Sequence, residues 1–231
     1  MKWTSITETS DLIPLPSGYE FEQLGRDDIP ELVAKVRQWH PDIVVGAGSC
    51  YVREQFYLEK TYLAKEAERD IYVLLIRFSG ELVGMWSFER EIDALSIYGR
   101  LLIVAPEHRG SKVAVSCMSG TERVCRACGA EFVYTMSTLK VPHMQIALER
   151  AGYQLVGFAP GYDREIGKDG IVKRVYEAVY GKVLVPAEEM LRPDPRNLTP
   201  RTRVLFELMF PASMQEATTT GPQSAANRDD A

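Results

Sequence analysis

The alternation of apolar and polar positions divides the first third of the chain into short amphipathic elements. Residues 19–24 alternate between the two classes, which predicts a half-buried strand because successive side chains of a strand point to opposite faces. Apolar residues then recur at helical spacing after a capping sequence at Asp28, and this predicts a helix that runs to about Trp39. A loop over residues 40–49 and a second helix over residues 51–68 complete this part of the pattern.

The rest of the chain alternates strands and helices. Strands over Ile71–Phe78 and residues 81–89 are joined by a Ser-Gly dipeptide, which is typical of a tight hairpin turn. The further elements expected are a strand over 94–104, a helix from Gly110 to Gly129, a strand over 132–134, a helix from Pro142 to Gly152, and strands over 153–158 and 172–180. The resulting order, β-α-α-β-β-β-α-β-α-β-β, predicts an α/β (α+β) fold with a mixed sheet.

The same pattern predicts the domain organisation. Residues 1–18 form an N-terminal extension, and residues 19–184 form one domain of ordinary size. Residues 185–210 are interrupted by prolines and form a C-terminal extension with a short helix that Thr199 could cap. Residues 211–231 are rich in polar side chains without apolar periodicity, so we expect them to be disordered.

Composition and charge exclude several classes of protein. The chain has 231 residues, of which 45% are hydrophobic and 26% are charged, as in an ordinary globular protein. Its net charge of −5 argues against nucleic acid, whose phosphate backbone attracts basic surfaces. No run approaches the ~20 apolar residues that span a bilayer, and the N-terminus lacks the apolar stretch of a signal peptide. We therefore expect a cytoplasmic protein that contacts neither nucleic acid nor membrane.

The cysteines do not indicate a metal or disulfide framework. Cys125 and Cys128 have the spacing of a redox or metal motif, but no second pair and no histidine lie nearby. Both fall within an apolar helical pattern, where cysteine packs as a small hydrophobic residue. The sequence favours core packing and predicts no metal site.

One segment, residues 101–114, has the pattern of a phosphate-binding turn. It reads LLIVAPEHRGSKVA, so an apolar strand leads through a Pro-Glu-x-Arg-Gly turn directly into a helix. The first turn of a helix has unpaired N–H groups and partial positive charge, which attract phosphates. Gly110 allows close approach of the backbone to a ligand, and Arg109 adds a charged donor. A plain surface turn is the alternative.

This segment, the order of elements and the helix over 142–152 together resemble the GNAT superfamily of N-acetyltransferases. In that family a strand ends in valine shortly before Pro-Glu-x-Arg-Gly, and an Arg/Gln-x-x-Gly-x-Gly/Ala loop holds the pyrophosphate of acetyl-CoA. Arg109, Gly110, Val113 and Ala114 fit the pattern, whereas Lys112 replaces its middle glycine. The resemblance covers roughly residues 19–180. It implies that acetyl-CoA, as co-substrate, contacts Leu102, Ile103, Val104, Arg109, Gly110, Ser111, Lys112, Val113 and Ala114.

The family's usual acid and base cannot be carried over to this chain. Tyr98 stands where the family often has a glutamate base, and Leu148 stands where it has a tyrosine acid. The substitutes offered by the sequence are Tyr98, Glu89 and His143. Glu89 ends a strand near the expected acceptor, and the imidazole of His143 has a pKa suited to proton transfer. An aromatic packed on the sheet, a solvated carboxylate and an exposed histidine are the alternatives for these three.

Three functions are compatible with the sequence. The first is an N-acetyltransferase, whose partners would be acetyl-CoA and an amine acceptor, with a homodimer left open. The second is a catalytically silent GNAT-like module that binds acyl-CoA as a sensor or interaction partner. The third is an α/β interaction domain that only resembles the family. Acceptor specificity is expected in loops such as residues 40–49 and 159–170.

Overall fold

A computed structural model describes residues 1–210, so the disorder expected for residues 211–231 lies outside the described residues. The structure divides into two units, one over Met1–Leu184 and a second that begins at Val185. Within residues 1–210, no helix is long and apolar enough to cross a bilayer.

The first unit contains all eight strands and five helices of the described chain. The strands are β1 (Tyr19–Gln23), β2 (Thr61–Tyr62), β3 (Ile71–Phe78), β4 (Glu81–Glu91), β5 (Ser96–Val104), β6 (Phe132–Thr138), β7 (Gln154–Ile166) and β8 (Val172–Val183). The helices are α1 (Ile6–Leu12), α2 (Ile29–Trp39), α3 (Glu54–Lys60), α4 (Val113–Ala127) and α5 (His143–Arg150), and the second unit contains α6 (Pro200–Met209). The helix that was predicted after Thr199 is therefore present.

The strands form one mixed sheet in the order β1-β3-β4-β5-β6-β8-β7, with β2 added beside β3. Neighbours along this order are antiparallel except for β5 and β6, which run parallel, and β2 is also parallel to β3. The prediction of an α/β fold with a mixed sheet is therefore confirmed.

The core lies on both faces of the central strands. Six consecutive residues of β3 and seven of β4 are buried, because helices cover both sides of this part of the sheet. Helix α2 buries the apolar face that its spacing predicted, including Leu32 and Val36. Cys117, Cys125 and Cys128 lie buried as free thiols, and burial raises their pKa values, as expected for core packing.

The predicted helix over residues 51–68 is wrong over most of its length. A short 3-10 helix and α3 occupy its first part, and Thr61 then turns into the extended β2. The Thr61 hydroxyl donates to the Tyr57 carbonyl at 2.7 Å, and the Ala64 amide donates to Leu24 at 2.9 Å. These bonds, together with β2–β3 pairing, satisfy backbone groups that a continued helix would otherwise pair internally.

Two further elements differ from the predicted pattern. The N-terminal segment contains α1, a helix that the pattern did not predict. Ser5 caps this helix, because its hydroxyl accepts from the Glu8 amide at 3.2 Å. Strand β7 extends to Ile166, so residues 159–166 form a strand and not the predicted loop. Pairing with β8 explains the extension, because cross-strand hydrogen bonds are invisible to a local pattern.

Candidate active site

The sheet separates between β5 and β6 because of an irregularity at Arg100. Gly99 pairs with Phe88 and Leu101 pairs with Ser87, so Arg100 is an extra residue on β5. Such a bulge bends its strand and ends regular pairing. Pairing of β5 with β6 stops at Gly99, the residue directly before the bulge. The Thr135 hydroxyl donates to the Gly99 carbonyl at 2.8 Å and closes the last contact before the strands separate.

Beyond the bulge, β5 presents to the gap between the strands backbone groups that are not paired with another strand of the described chain, and of these the Val104 carbonyl accepts only from the Arg109 side chain. The Ala105 amide donates to the Val83 carbonyl at 2.8 Å, so the backbone groups of Ala105 face β4. Because backbone direction alternates along a strand, those of Ile103 also face β4, while those of Leu102 and Val104 face the gap. Leu102 and Val104 can therefore bond an extended ligand as an added strand would.

The turn after β5 leads into the N-terminus of α4. His108 fixes the turn against the sheet, since its Nδ1 lies 2.8 Å from the Tyr19 hydroxyl and its ring packs on Phe78. Gly110 has φ of +89°, and no atom of residues 1–210 lies within 4 Å of the position that a Cβ would take there. Lys112 has φ of +70° and precedes Val113, the first residue of α4.

The conformation of Lys112 explains why the resembling family has glycine at this position. Its backbone is left-handed, which glycine adopts freely and other residues adopt at a cost of roughly 1–2 kcal/mol. A glycine at this position would adopt the same backbone conformation without that cost. The amides of the first turn of α4, from Val113 onward, lack partners within the helix, as phosphate binding at this position requires.

An apolar cavity, cavity 1, of about 200 Å³ fills the gap between β5 and β6. Its lining includes Gly99, Leu101 and Leu102 on β5 and residues 133–138 on β6. Met144 and Leu148 of α5 close one side. An apolar pocket beside unpaired strand backbone suits a chain that carries amide groups on a mostly apolar arm.

A second cavity, cavity 2, of about 390 Å³ adjoins cavity 1 and is more polar. The two share Arg100, Leu101, Met136 and Thr138, so they meet where the strands separate. Cavity 2 is otherwise lined by the loop after α2, by the end of β7 and by Glu177 of β8. The Asp163 carboxylate holds the loop in place, since it accepts from the Ala47 amide at 2.6 Å.

Tyr98 lies in cavity 2, where its chemistry is that of a hydrogen-bond donor. Its ring stacks on Tyr134 with centroids 5.0 Å apart, and its hydroxyl lies 3.4 Å from that of Tyr162. Burial first, and then the contact with Tyr162, raises the pKa of Tyr98 above its ordinary value. The phenol therefore stays protonated near neutral pH and can donate but not act as a base.

Glu89 is engaged in an ion pair beside the gap. Its carboxylate pairs with the Arg100 guanidinium, whose Nε donates to the Tyr51 hydroxyl at 3.0 Å. Tyr51 in turn donates to Ser87 at 2.8 Å. The Glu89 carboxylate and the Tyr51 hydroxyl therefore hold the bulge residue Arg100 in place.

His143 lies apart from the other two candidates. It is exposed at the start of α5 and faces a shallow pocket with Val115 and Ile146, away from the linings of cavities 1 and 2. Leu148, at the position of the family's tyrosine, is buried. The structure thus does not bring Tyr98, Glu89 and His143 together into one acid–base group.

Glu177 is a carboxylate in cavity 2 that the sequence analysis did not identify. It is only 7% exposed, and among residues 1–210 it makes no hydrogen bond or ion pair. Burial, followed by the charges of Asp163 and Glu165, raises the pKa of Glu177 to about 7, while Lys140 lowers it. The sequence does contain one signal for it. Glu177 is two residues from both Val175 and Val179, so in a strand its side chain lies on the same face as these two apolar residues.

Comparison with solved structures shows a shared fold. A spermidine N-acetyltransferase from Vibrio cholerae is 14% identical with a TM-score of 0.55, and the match covers 73% of this chain and 95% of that one. The microcin C7 self-immunity acetyltransferase MccE, solved with acetyl-CoA and AMP, is 11% identical with a TM-score of 0.57, over 73% of this chain and 93% of the other.

The ribosomal L7/L12 alpha-N-protein acetyltransferase RimL, solved with coenzyme A, gives a similar result. It is 12% identical with a TM-score of 0.56, and the match covers 74% of this chain and 97% of that one. A search of curated protein sequences gives no significant match. At these identities the structural similarity establishes the fold alone.

The family assignment comes from a model of the acetyltransferase (GNAT) family. This model matches residues 31–164, which is more than half of the chain and includes β5, the turn at Gly110 and α5. The matched range therefore contains the separated strands and the start of α4 that form cavity 1 and the turn beside it. The chain belongs to the acetyltransferase (GNAT) family and is an acyltransferase.

Proposed function

We propose that this protein transfers the acetyl group of acetyl-CoA to an amine. The observation that carries the proposal is the junction of cavities 1 and 2 at Leu101, where the sheet separates. The thioester of a donor in cavity 1 and the amine of an acceptor in cavity 2 would meet there. Holding the two reacting groups side by side lowers the entropic part of the barrier.

The residues beside cavity 1 fit acetyl-CoA. The backbone groups of Leu102 and Val104 face the gap and would bond the amides of the pantetheine arm. The turn from Arg109 to Lys112 and the first amides of α4, at Val113 and Ala114, would hold the pyrophosphate. Open space above Gly110 is consistent with close approach of a phosphate.

Two residues that the sequence predicted to contact acetyl-CoA, Arg109 and Ile103, are placed differently in the structure. The Arg109 Nε donates to the Val104 carbonyl at 3.4 Å, so its guanidinium lies over the end of β5, beside the route from the turn to cavity 1. Ile103 directs its backbone groups toward β4 and its side chain into the core, so it supports the strand and would not bond the pantetheine arm. Lys112 would contribute its ammonium group as a point charge.

The acceptor amine would enter through cavity 2. Both segments in which we expected acceptor specificity, residues 40–49 and 159–170, contribute to its lining. The solved relatives act on spermidine and on a protein N-terminus according to their names, so the candidate acceptors are polyamines, amino acids and peptide N-termini. We expect a cytoplasmic enzyme, and sedimentation would test for a homodimer.

The alternative is a catalytically silent module that binds acyl-CoA. The replacement of the family's acid and base by Leu148 and Tyr98 favours it. Two measurements separate the alternatives. Acetyl-CoA at a hundred times its Kd should stabilise the fold by about 2.7 kcal/mol, and an amine panel should release free thiol.

Each outcome of these measurements selects one function. Stabilisation together with thiol release supports the transferase. Stabilisation without release on any amine supports the silent module. No thermal shift at millimolar acetyl-CoA contradicts both functions and would mean a family member that does not bind this donor.

A further inference from the structure

We propose that Glu177 is the proton acceptor for a cationic amine bound in cavity 2. This assignment rests on the proposed acetyl transfer, because it supplies the base that the reaction needs and that β5 lacks. Glu177 lies on β8, opposite Thr138 of β6, at a position that the family assignment over residues 31–164 does not include.

The Glu177 side chain lies at the wall of cavity 2 without a hydrogen-bond partner among the described residues. A buried carboxylate normally has a hydrogen bond or an ion pair that offsets its lost hydration. Glu177 is 93% buried and has neither within residues 1–210, although it lines a cavity large enough for a ligand. A cation in cavity 2 would provide the missing partner.

The surrounding charges also favour a cation. Asp163 and Glu165 on β7 are the carboxylates that act most strongly on Glu177, and Lys140 after β6 opposes them. Lys140 is itself paired with Glu165, its ammonium nitrogen lying 2.5 Å from the carboxylate. The other titratable groups that face cavity 2 are His40, Asp42, Tyr51, Tyr98, Arg100, Tyr162 and Arg164.

The pKa of Glu177 suits a base near neutral pH. At about 7, the carboxyl is ionised in a large fraction of molecules at neutral pH and is a stronger proton acceptor than an ordinary carboxylate. Glu89, a carboxylate that the sequence offered, is instead held in an ion pair with Arg100.

The proposed step conserves atoms and charge. The Glu177 carboxylate takes one proton from the ammonium group and leaves a neutral amine with a lone pair. The amine nitrogen bonds to the thioester carbonyl carbon, and the carbon–sulfur bond breaks as the tetrahedral intermediate collapses. The second proton lost by nitrogen goes to the departing sulfur, and Glu177 returns its own proton to water.

The test compares pH profiles of kcat/KM for the wild type and Glu177→Gln on the best amine found. We expect a wild-type limb that rises with pH through about 7. In the variant we expect the loss of that limb and a fall of roughly a hundredfold or more. The loss should shrink for weakly basic amines, which reach cavity 2 already neutral. The control is Glu20→Gln. The Glu20 side chain is exposed on β1 and lies outside both cavities, so this variant makes the same charge change and should behave as the wild type.

The outcomes distinguish this assignment from the proposed function. A thermal shift with acetyl-CoA establishes that Glu177→Gln is folded and binds the donor. A folded variant with the wild-type rate and limb overturns the assignment but leaves the transferase intact. If Glu177→Gln fails to bind the donor, formate should restore transfer to Glu177→Ala, and no restoration counts against a base. A wild type that transfers to no amine refutes the proposed function and this role with it.

Discussion

Replacing Glu177 by glutamine should make the protein more stable, and only at high pH. Burial raises the pKa of this carboxyl from its ordinary 4.5 to about 7, so the folded state disfavours the ionised form. Each pKa unit corresponds to about 1.4 kcal/mol, so ionised Glu177 costs the folded state about 3 kcal/mol above pH 8. This cost is absent below about pH 4.5, where the carboxyl is protonated in both states, grows as pH rises from 4.5 to about 7, and is complete above that value.

The assay is urea unfolding of the wild type and Glu177→Gln at pH 4.5 and pH 8.5. The difference in free energy of unfolding between the two proteins should change by about 3 kcal/mol between these pH values, in favour of the variant at pH 8.5. Comparing two pH values removes any constant effect of the amide. Glu20→Gln, which is exposed, should show no such change. A difference that is the same at both pH values would mean that Glu177 is not destabilised by burial, and the reasoning fails.

Four further substitutions test the site. Gly110→Val places a β-branched residue at φ of +89° in the phosphate turn, so the affinity for acetyl-CoA should fall at least tenfold while the free energy of unfolding changes by about 1–3 kcal/mol. Equal affinity in a folded variant would show that this turn is not part of the donor site. Gly46→Ala would put its Cβ 2.2 Å from Asp163 Oδ1, so the loop after α2 should detach from Asp163. The KM for the amine should then rise without a change in the Kd of acetyl-CoA, and an unchanged KM would contradict this prediction. Tyr98→Phe and His143→Ala should each reduce transfer by less than about a hundredfold, because the Tyr98 phenol stays protonated and His143 lies outside the linings of both cavities. A loss of about a thousandfold in either variant would identify a dedicated catalyst.

The sequence identified the turn at residues 101–114 because its chemistry is local. A strand, a Pro-Glu-x-Arg-Gly turn and a helix start are adjacent in the chain, so their geometry follows from neighbouring residues. The bounds of β3 and α2 were predicted for the same reason, since each element has a regular apolar period and a turn or cap at its end.

The proton acceptor could not be predicted in this way. Cavity 2 joins the loop after α2, the bulge on β5, the end of β7 and Glu177 on β8, which are far apart in the sequence. The resemblance directed attention to Tyr98, where the family's base would lie, and to Glu89 as a substitute, and away from β8. Whether a carboxylate is buried and unpaired depends on every element around it, and no local pattern reports this.

The sequence by itself determined the order of elements from β3 to β8, the mixed sheet and the family, because periodicity, turns and caps act between near neighbours. The tertiary structure decided that residues 61–62 join the sheet as β2, that Arg100 bulges and opens the strands, and that Glu177 faces a cavity without a partner. These features depend on pairing and burial between distant segments. Their free energies come from contacts that exist only after the chain has folded.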